Sequence, residues 1–300
     1  MRLVAAINKA LDTRMAVRAV FQAPSVRALA QQLGRPDSAA EVIPAEILKD
    51  GSGIPLCCIH EGTGISYPYR GLGDYLECPI IGINQTPHTD QAQPASIRDM
   101  AKNYADRLQT VYPAQSYNLL GWSFGGVVAH QLAVELRRRG CAIHRLILLD
   151  PIAPTDSQPQ SISNETDIES RILQRFLQLS GIDTADNTQP LTYQRAQQLI
   201  RQHRDHTAEL VLPPQGLLNH MVHSAHANQY YITDHNPDVF DGDTVIFTAA
   251  RSGNHNALQS WRPYITGDIR HHPVDCEHND MMTPTTLRTY AQQLKDSLQR

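Results

Sequence analysis

The chain has 300 residues, 41% of them hydrophobic, which suits one large α/β domain plus a small element, or two domains. Its formal net charge of −4 carries no bulk basicity, so nucleic acid is not an expected partner. No apolar run approaches the roughly 20 residues that span a bilayer, and Met1 to Leu11 lack a signal-peptide core and cleavage site; no membrane partner and a cytoplasmic location are expected.

In chain order, residues 1–34 differ from the rest. Leu3, Ile7, Ala10 and Leu11 make one helical stripe. Val26, Leu29, Ala30 and Leu33 make another, started by Ser25 as N-cap and closed by Gly34. Two such helices bury too little to fold alone. Residues 35–53 read as a linker. From Ile54 the pattern alternates strand and helix. Strands are expected at Pro55–His60, Pro79–Ile83, before Gly121, at Arg145–Asp150, Thr244–Thr248 and Ile269–Val274. Ser96 caps a helix over about 97–111, and Pro284 starts a last helix to about Leu298. Such alternation predicts a mostly parallel central sheet with helices on both faces. Between Asp150 and Asp243 the strand pattern stops. The segment of about 153–240 is helical and polar, and is expected to form an inserted lid over the catalytic edge of the sheet.

Five cysteines, at 57, 58, 78, 141 and 276, have no metal-like spacing and read as free thiols in a reducing compartment. Cys57 and Cys58 are neighbours in a strand and should face opposite ways.

The run Tyr117-Asn-Leu-Leu-Gly-Trp-Ser-Phe-Gly-Gly126 carries the chemistry. A strand, then Gly-x-Ser-x-Gly, then a helix is the nucleophile elbow of the α/β-hydrolase fold, centred on Ser123. The turn leaves no room for side chains at Gly121 and Gly125. It aims the backbone N–H of Phe124 and the helix N-terminus at a reacting carbonyl. A serine nucleophile needs a base and an orienting acid, in the chain order Ser, acid, His. Asp150 ends the strand Leu146–Leu149 and is the expected acid; the loop after the next strand, Thr248–Asn254, holds no carboxylate. His278 follows the last strand and is the expected base, whereas His271 and His272 lie inside that strand. The second oxyanion N–H is expected from Gly62, in the loop His60-Glu-Gly-Thr-Gly64; Glu61 beside it either attracts a cationic group of the substrate or, the favoured reading, faces solvent. His220, His223 and His226, with His203 and His206, have helical spacing but no Cys or carboxylate partners at useful spacing. They read as a solvated lid face, so no metal is expected.

Gly121–Gly126, Leu149-Asp150 and Cys276-Glu-His-Asn-Asp-Met-Met282 together resemble the type I thioesterase domains that terminate non-ribosomal peptide synthetases. The loop Ile59–Gly64 also resembles their first oxyanion loop. The likeness runs from about Ile54 to the C-terminus and is loose in the lid, where Ala227-Asn-Gln-Tyr-Tyr231 matches best. Residues 1–34 resemble the last part of a peptidyl carrier domain, the order expected at a synthetase C-terminus. This resemblance implies a thioesterase domain over 54–300 with no cofactor of its own. Its substrate is a peptide on the phosphopantetheine of a carrier domain, whose modified serine is expected to be absent from this chain. It implies a peptidyl ester on Ser123, released by hydrolysis or macrocyclisation. The carrier and upstream synthetase modules are the implied partners, and a monomeric module is expected. A free-standing or editing esterase or thioesterase of the same fold, and a non-catalytic binding module, are the alternative readings.

Overall fold

A computed structural model describes residues 42–86, 93–154, 162–179, 182, 189–203, 212–252 and 257–299. The expected carrier-like helices of 1–34, the first part of the expected linker and His206 lie outside the described residues. The sheet, its helices and the site all belong to one compact unit, Val42–Pro213 with Leu218–Arg300. Of the second unit, Met1–Glu41 with Pro214–Leu217, only the latter four residues are described, at the start of a helix.

Among the described residues, the strands are β1 (Ala45–Lys49), β2 (Leu56–Ile59), β3 (Ile80–Ile83), β4 (Ser116–Trp122), β5 (Ala142–Leu149), β6 (Thr244–Ala249) and β7 (Ile269–Val274). They form one sheet in the order β1-β3-β2-β4-β5-β6-β7. Every pair is parallel except β1 with β3. The helices are α1 (Ile97–Val111), α2 (Phe124–Arg138), α3 (Glu165–Leu179), α4 (Tyr193–Gln202), α5 (Gln215–Thr233), α6 (Ala257–Trp261) and α7 (Pro284–Gln299). This is the expected α/β-hydrolase architecture.

Several helix ends have a local cause. Ser96 Oγ accepts the Asp99 N–H at 3.2 Å and caps α1. Thr192 caps α4 in the same way through Arg195 N–H. Helix α2 ends with Arg137 and Arg138 at its negative pole, and Gly140 follows at φ 82.

Buried on both faces, the inner strands are continuously apolar. Cys57, Ile59, Tyr117, Leu119, Leu146 and Leu148 pack toward α1 and α2. Leu56, Cys58, Leu120, Ile147, Leu149 and Phe247 pack on the other face against Leu287, Tyr290 and Leu294 of α7. Cys57 and Cys58 thus face opposite layers, as strand alternation requires. Full burial of each such large side chain contributes about 1.5–3 kcal/mol relative to exposure.

One expectation is corrected. Residues 35–53 are not linker throughout, because Ala45–Lys49 pairs antiparallel with β3, Ala45 opposite Ile83. As an edge strand it buries Leu48 while Ile47 is 63% exposed, so it carries little apolar signal.

The insertion between β5 and β6 carries α3, α4 and α5. Ser170 Oγ accepts the Leu191 N–H at 2.7 Å and ties α3 to the turn before α4. Arg175 of α3 donates to Asp280 Oδ1 at 3.2 Å and also to the Asn279 carbonyl. Asn228 of α5 donates to the Gly62 carbonyl at 2.9 Å. The lid therefore touches the loops that follow β2 and β7, which places it over the carboxyl edge of the sheet.

Candidate active site

The site forms where β2, β4, β5 and β7 end. Ser123 joins β4 to α2 with φ 58 and ψ −124, a left-handed backbone that a β-carbon rarely adopts. Two features hold it there. Its N–H donates to the Leu149 carbonyl at 2.9 Å. Gly121 and Gly125 permit the turn: a β-carbon on Gly121 would lie 2.0 Å from the Gly125 carbonyl oxygen, and one on Gly125 would lie 2.3 Å from that of His60. The elbow helix can sit this close to β4 because residue 121 is glycine, and this close to β2 because residue 125 is glycine.

Asp150 follows β5 at φ 40 and is 2% exposed. Its N–H donates to the Phe247 carbonyl at 2.6 Å. Its Oδ1 accepts the Ala249 N–H at 3.1 Å, so one carboxylate oxygen is fixed by backbone. The other, Oδ2, lies 2.6 Å from His278 Nδ1. A carboxylate only accepts, so Nδ1 carries the proton and Nε2 is left as the acceptor. His278 Nε2 is 2.9 Å from Ser123 Oγ, the geometry in which the hydroxyl donates to the imidazole. The His278 N–H donates to Ser252 Oγ, and its ring lies 5.5 Å from that of Trp122. Ser123, Asp150 and His278, each expected from sequence, therefore meet in one hydrogen-bonded chain.

Phe124 begins α2 and is 2% exposed. The first N–H groups of a helix have no intrahelical partner and face the positive end of its dipole. Gly62 lies in the loop after β2, next to the elbow because Ile59 pairs with Gly121. Tyr69 clamps the two strand ends: its hydroxyl donates to the Ile59 carbonyl at 2.7 Å and accepts the Trp122 N–H at 2.9 Å.

Glu61 does not simply face solvent. It is half-buried and accepts from the Thr63 N–H at 3.0 Å and from the Thr63 hydroxyl. Burial raises its carboxyl above the ordinary value, against the lowering effect of those bonds.

His271 and His272 lie in β7 as expected, but the solvated lid face is corrected at His220, which is buried at 8% exposure on the inner side of α5, while His203 and His223 are exposed. His271 Nε2 meets Thr248 Oγ1 at 2.8 Å, and His272 stacks on Phe247 at 4.9 Å. In the lid, His223 and His226 approach Glu165 at 3.5 and 3.9 Å. No group of three His, Cys, Asp or Glu side chains that could hold a metal occurs among the described residues.

Sequence reasoning missed several supports. Tyr69 carries no motif, and Asn228 lies in the lid segment of the resemblance with no role readable from it; both act through contacts between elements far apart in sequence. Ala249 and Ser252 come from the carboxylate-free stretch Thr248–Asn254, which contributes a backbone N–H and a hydroxyl.

Comparison with known proteins bears on this geometry. The family model for the thioesterase domain matches residues 54–294. A dimodular nonribosomal peptide synthase of Bacillus subtilis (strain 168) is 30% identical over 296 residues, covering 95% of this chain and 12% of that protein. Malpibaldin synthetase of Mortierella alpina is 28% identical over 313 residues, covering 100% of this chain and 5% of that protein. The chain therefore spans a small part of the curated relatives it matches. Among solved structures, a holo four-domain nonribosomal peptide synthetase bound to AMP and glycine superposes with a TM-score of 0.70 at 19% identity, over 98% of this chain and 23% of that one. The NocB thioesterase domain, in covalent complex with a fluorophosphonate nocardicin G analog, superposes with a TM-score of 0.60 at 19% identity, over 85% of this chain and 100% of that one. These two likenesses speak to the fold.

Proposed function

The chain belongs to the thioesterase domain family, and from that premise we propose that it releases a peptidyl chain from a phosphopantetheine thioester on a nonribosomal peptide synthetase. The observation that carries the reading is the chain of contacts from Asp150 through His278 to Ser123, at 2.6 and 2.9 Å, on a strained elbow.

Ser123 Oγ attacks the thioester carbonyl while its proton passes to His278 Nε2. Asp150 keeps Nδ1 protonated and stabilises the imidazolium that forms. The oxyanion is received by the N–H groups of Phe124 and Gly62. When the intermediate collapses the C–S bond breaks, the thiol takes the proton from His278, and a peptidyl ester remains on Ser123. His278 then deprotonates water to give a free acid, or an amine or hydroxyl of the peptide to give a ring. The lid on α3 and α5 governs water access at that step.

Residues 54–300 form the catalytic domain in this reading, with the lid over about 153–240, and 1–34 is the tail of a carrier domain. The catalytic domain uses no cofactor of its own. Its partners are the loaded carrier and the upstream modules, its state is monomeric and its location cytoplasmic; no described helix is long and apolar enough to cross a membrane.

The test is thiol release from a peptidyl N-acetylcysteamine thioester and from the matching oxygen ester. The proposal expects Ser123→Ala to lower turnover by about 10⁴-fold or more with the fold retained, and the thioester to be preferred. A loss below about tenfold contradicts the assignment of Ser123. A clear preference for the oxygen ester makes the protein an esterase of the same fold.

A further inference from the structure

His60 lies outside the acylation chemistry but touches both sides of the oxyanion site. It is fully buried at the carboxyl end of β2. Its Nδ1 is 2.7 Å from the Glu61 carbonyl oxygen. A carbonyl only accepts, so Nδ1 carries the proton. Nε2 lies 2.6 Å from the Tyr104 hydroxyl of α1 and is therefore the acceptor, with Tyr104 donating. Burial lowers the imidazole to about 4, which keeps this single neutral tautomer at neutral pH.

The Glu61 carbonyl belongs to the same peptide plane as the Gly62 N–H. In a trans peptide the two point in opposite directions, and the described residues contain no cis peptide bond. Drawing the Glu61 oxygen toward the His60 ring turns the Gly62 N–H away from it. The hydrogen bond also polarises the amide and strengthens that N–H as a donor. The following peptide is held in the same manner, by Asn228 on the Gly62 carbonyl at 2.9 Å. The His60 ring also stacks on Phe124, at 5.9 Å and 26°, the residue whose N–H is the other donor.

We propose that His60, oriented by Tyr104, is a positioning residue that sets the Glu61–Gly62 peptide so that its N–H completes the oxyanion site. This rests on the reading of Ser123 as the acyl acceptor. Removal of one oxyanion donor typically costs about 10²–10³ in turnover, which sets the scale of the effect.

The experiment compares wild type with His60→Phe, His60→Asn and Tyr104→Phe on a peptidyl N-acetylcysteamine thioester. Sites are counted by fluorophosphonate labelling of Ser123 taken to completion, so misfolded protein is excluded. Per site, His60→Phe lowers kcat about 10²-fold, close to the loss of a donor, with KM nearly unchanged. His60→Asn, whose Nδ2 takes the place of Nδ1, recovers about tenfold of that loss, and Tyr104→Phe loses about threefold to tenfold. A peptidyl boronic acid, which mimics the tetrahedral intermediate, weakens in parallel with kcat/KM, while the product acid binds as before. A per-site kcat within about threefold of wild type for His60→Phe, an Asn variant no better than Phe, or unchanged boronate affinity overturns the proposal. Should His60→Phe yield no labelled sites, Tyr104→Phe decides, and an unchanged kcat there overturns it. A wild type that neither releases thiol nor acylates Ser123 refutes the thioesterase reading itself, and this proposal with it.

Discussion

Asp150 and His278, 128 residues apart, meet at 2.6 Å between Oδ2 and Nδ1, while Asp150 Oδ1 accepts the Ala249 N–H at 3.1 Å. The carboxylate is thus held by backbone on one side and aimed at the imidazole on the other. Asp150→Asn keeps the shape but offers an amide donor to Nδ1. The proton then resides on Nε2, which can no longer accept from Ser123. Turnover is expected to fall about 10³–10⁴-fold, with thermal unfolding close to wild type. Steady-state kinetics and circular dichroism on the same samples check both halves.

Gly125→Ala tests the approach of the elbow helix to β2. The new methyl meets the His60 and Ile59 carbonyl oxygens at 2.3 and 2.6 Å, both backbone atoms that cannot rotate away. The expected cost is about 2–3 kcal/mol in urea denaturation. Thiol release is expected to drop at least about tenfold, because the oxyanion loop moves with His60.

Asn228 links the lid to that loop. Its Nδ2 donates to the Gly62 carbonyl and to Gln85 Oε1, each at 2.9 Å. Asn228→Ala strands one buried acceptor, Gln85 Oε1, and one half-buried one, the Gly62 carbonyl, and is expected to cost about 1–3 kcal/mol. Because one of them orients the Gly62–Thr63 peptide, kcat is expected to fall about tenfold. Equilibrium denaturation and kcat per labelled site measure the two effects.

Stability should depend on pH in two windows. Burial lowers His60 and His130 to about 4, from the ordinary 6.5. Between those values the unfolded chain binds protons that the folded chain refuses. Stability is therefore full above 6.5 and falls as pH drops toward about 4. Asp238 acts lower down, since the hydrogen bond from Arg98 holds its carboxyl at about 2, against 3.8 ordinarily. Its contribution is present above 3.8 and is lost as pH falls through about 2. Denaturation free energies across this range should show the upper slope. His130→Gln, which keeps a donor to the Tyr264 carbonyl, should reduce it.

Much of this was legible in sequence because it is local. The elbow declares itself through glycines at fixed offsets from Ser123, and Asp150 and His278 through their places after strands. Inner strands announce themselves as unbroken apolar runs, as at Leu146–Leu149. The strand Ala45–Lys49 escaped because an antiparallel edge buries only Leu48 and leaves Ile47 exposed and the rest half-buried. Glu61 shows no such signal, because its half-burial comes with hydrogen bonds from Thr63, two residues on, that no residue pattern announces. Tyr69, Tyr104 and Ser252 escaped for a different reason: each acts through a contact that exists only once distant elements are packed together.

Every catalytic role proposed for this site depends on Ser123 carrying the acyl group. Intact-protein mass spectrometry with peptide mapping, after brief mixing with a peptidyl N-acetylcysteamine thioester, tests it most directly. A mass increase equal to the acyl group is expected, confined to the peptide containing Ser123, decaying as product forms and absent from Ser123→Ala. Thiol release from wild type with no such adduct, or an adduct that persists in Ser123→Ala, would contradict it.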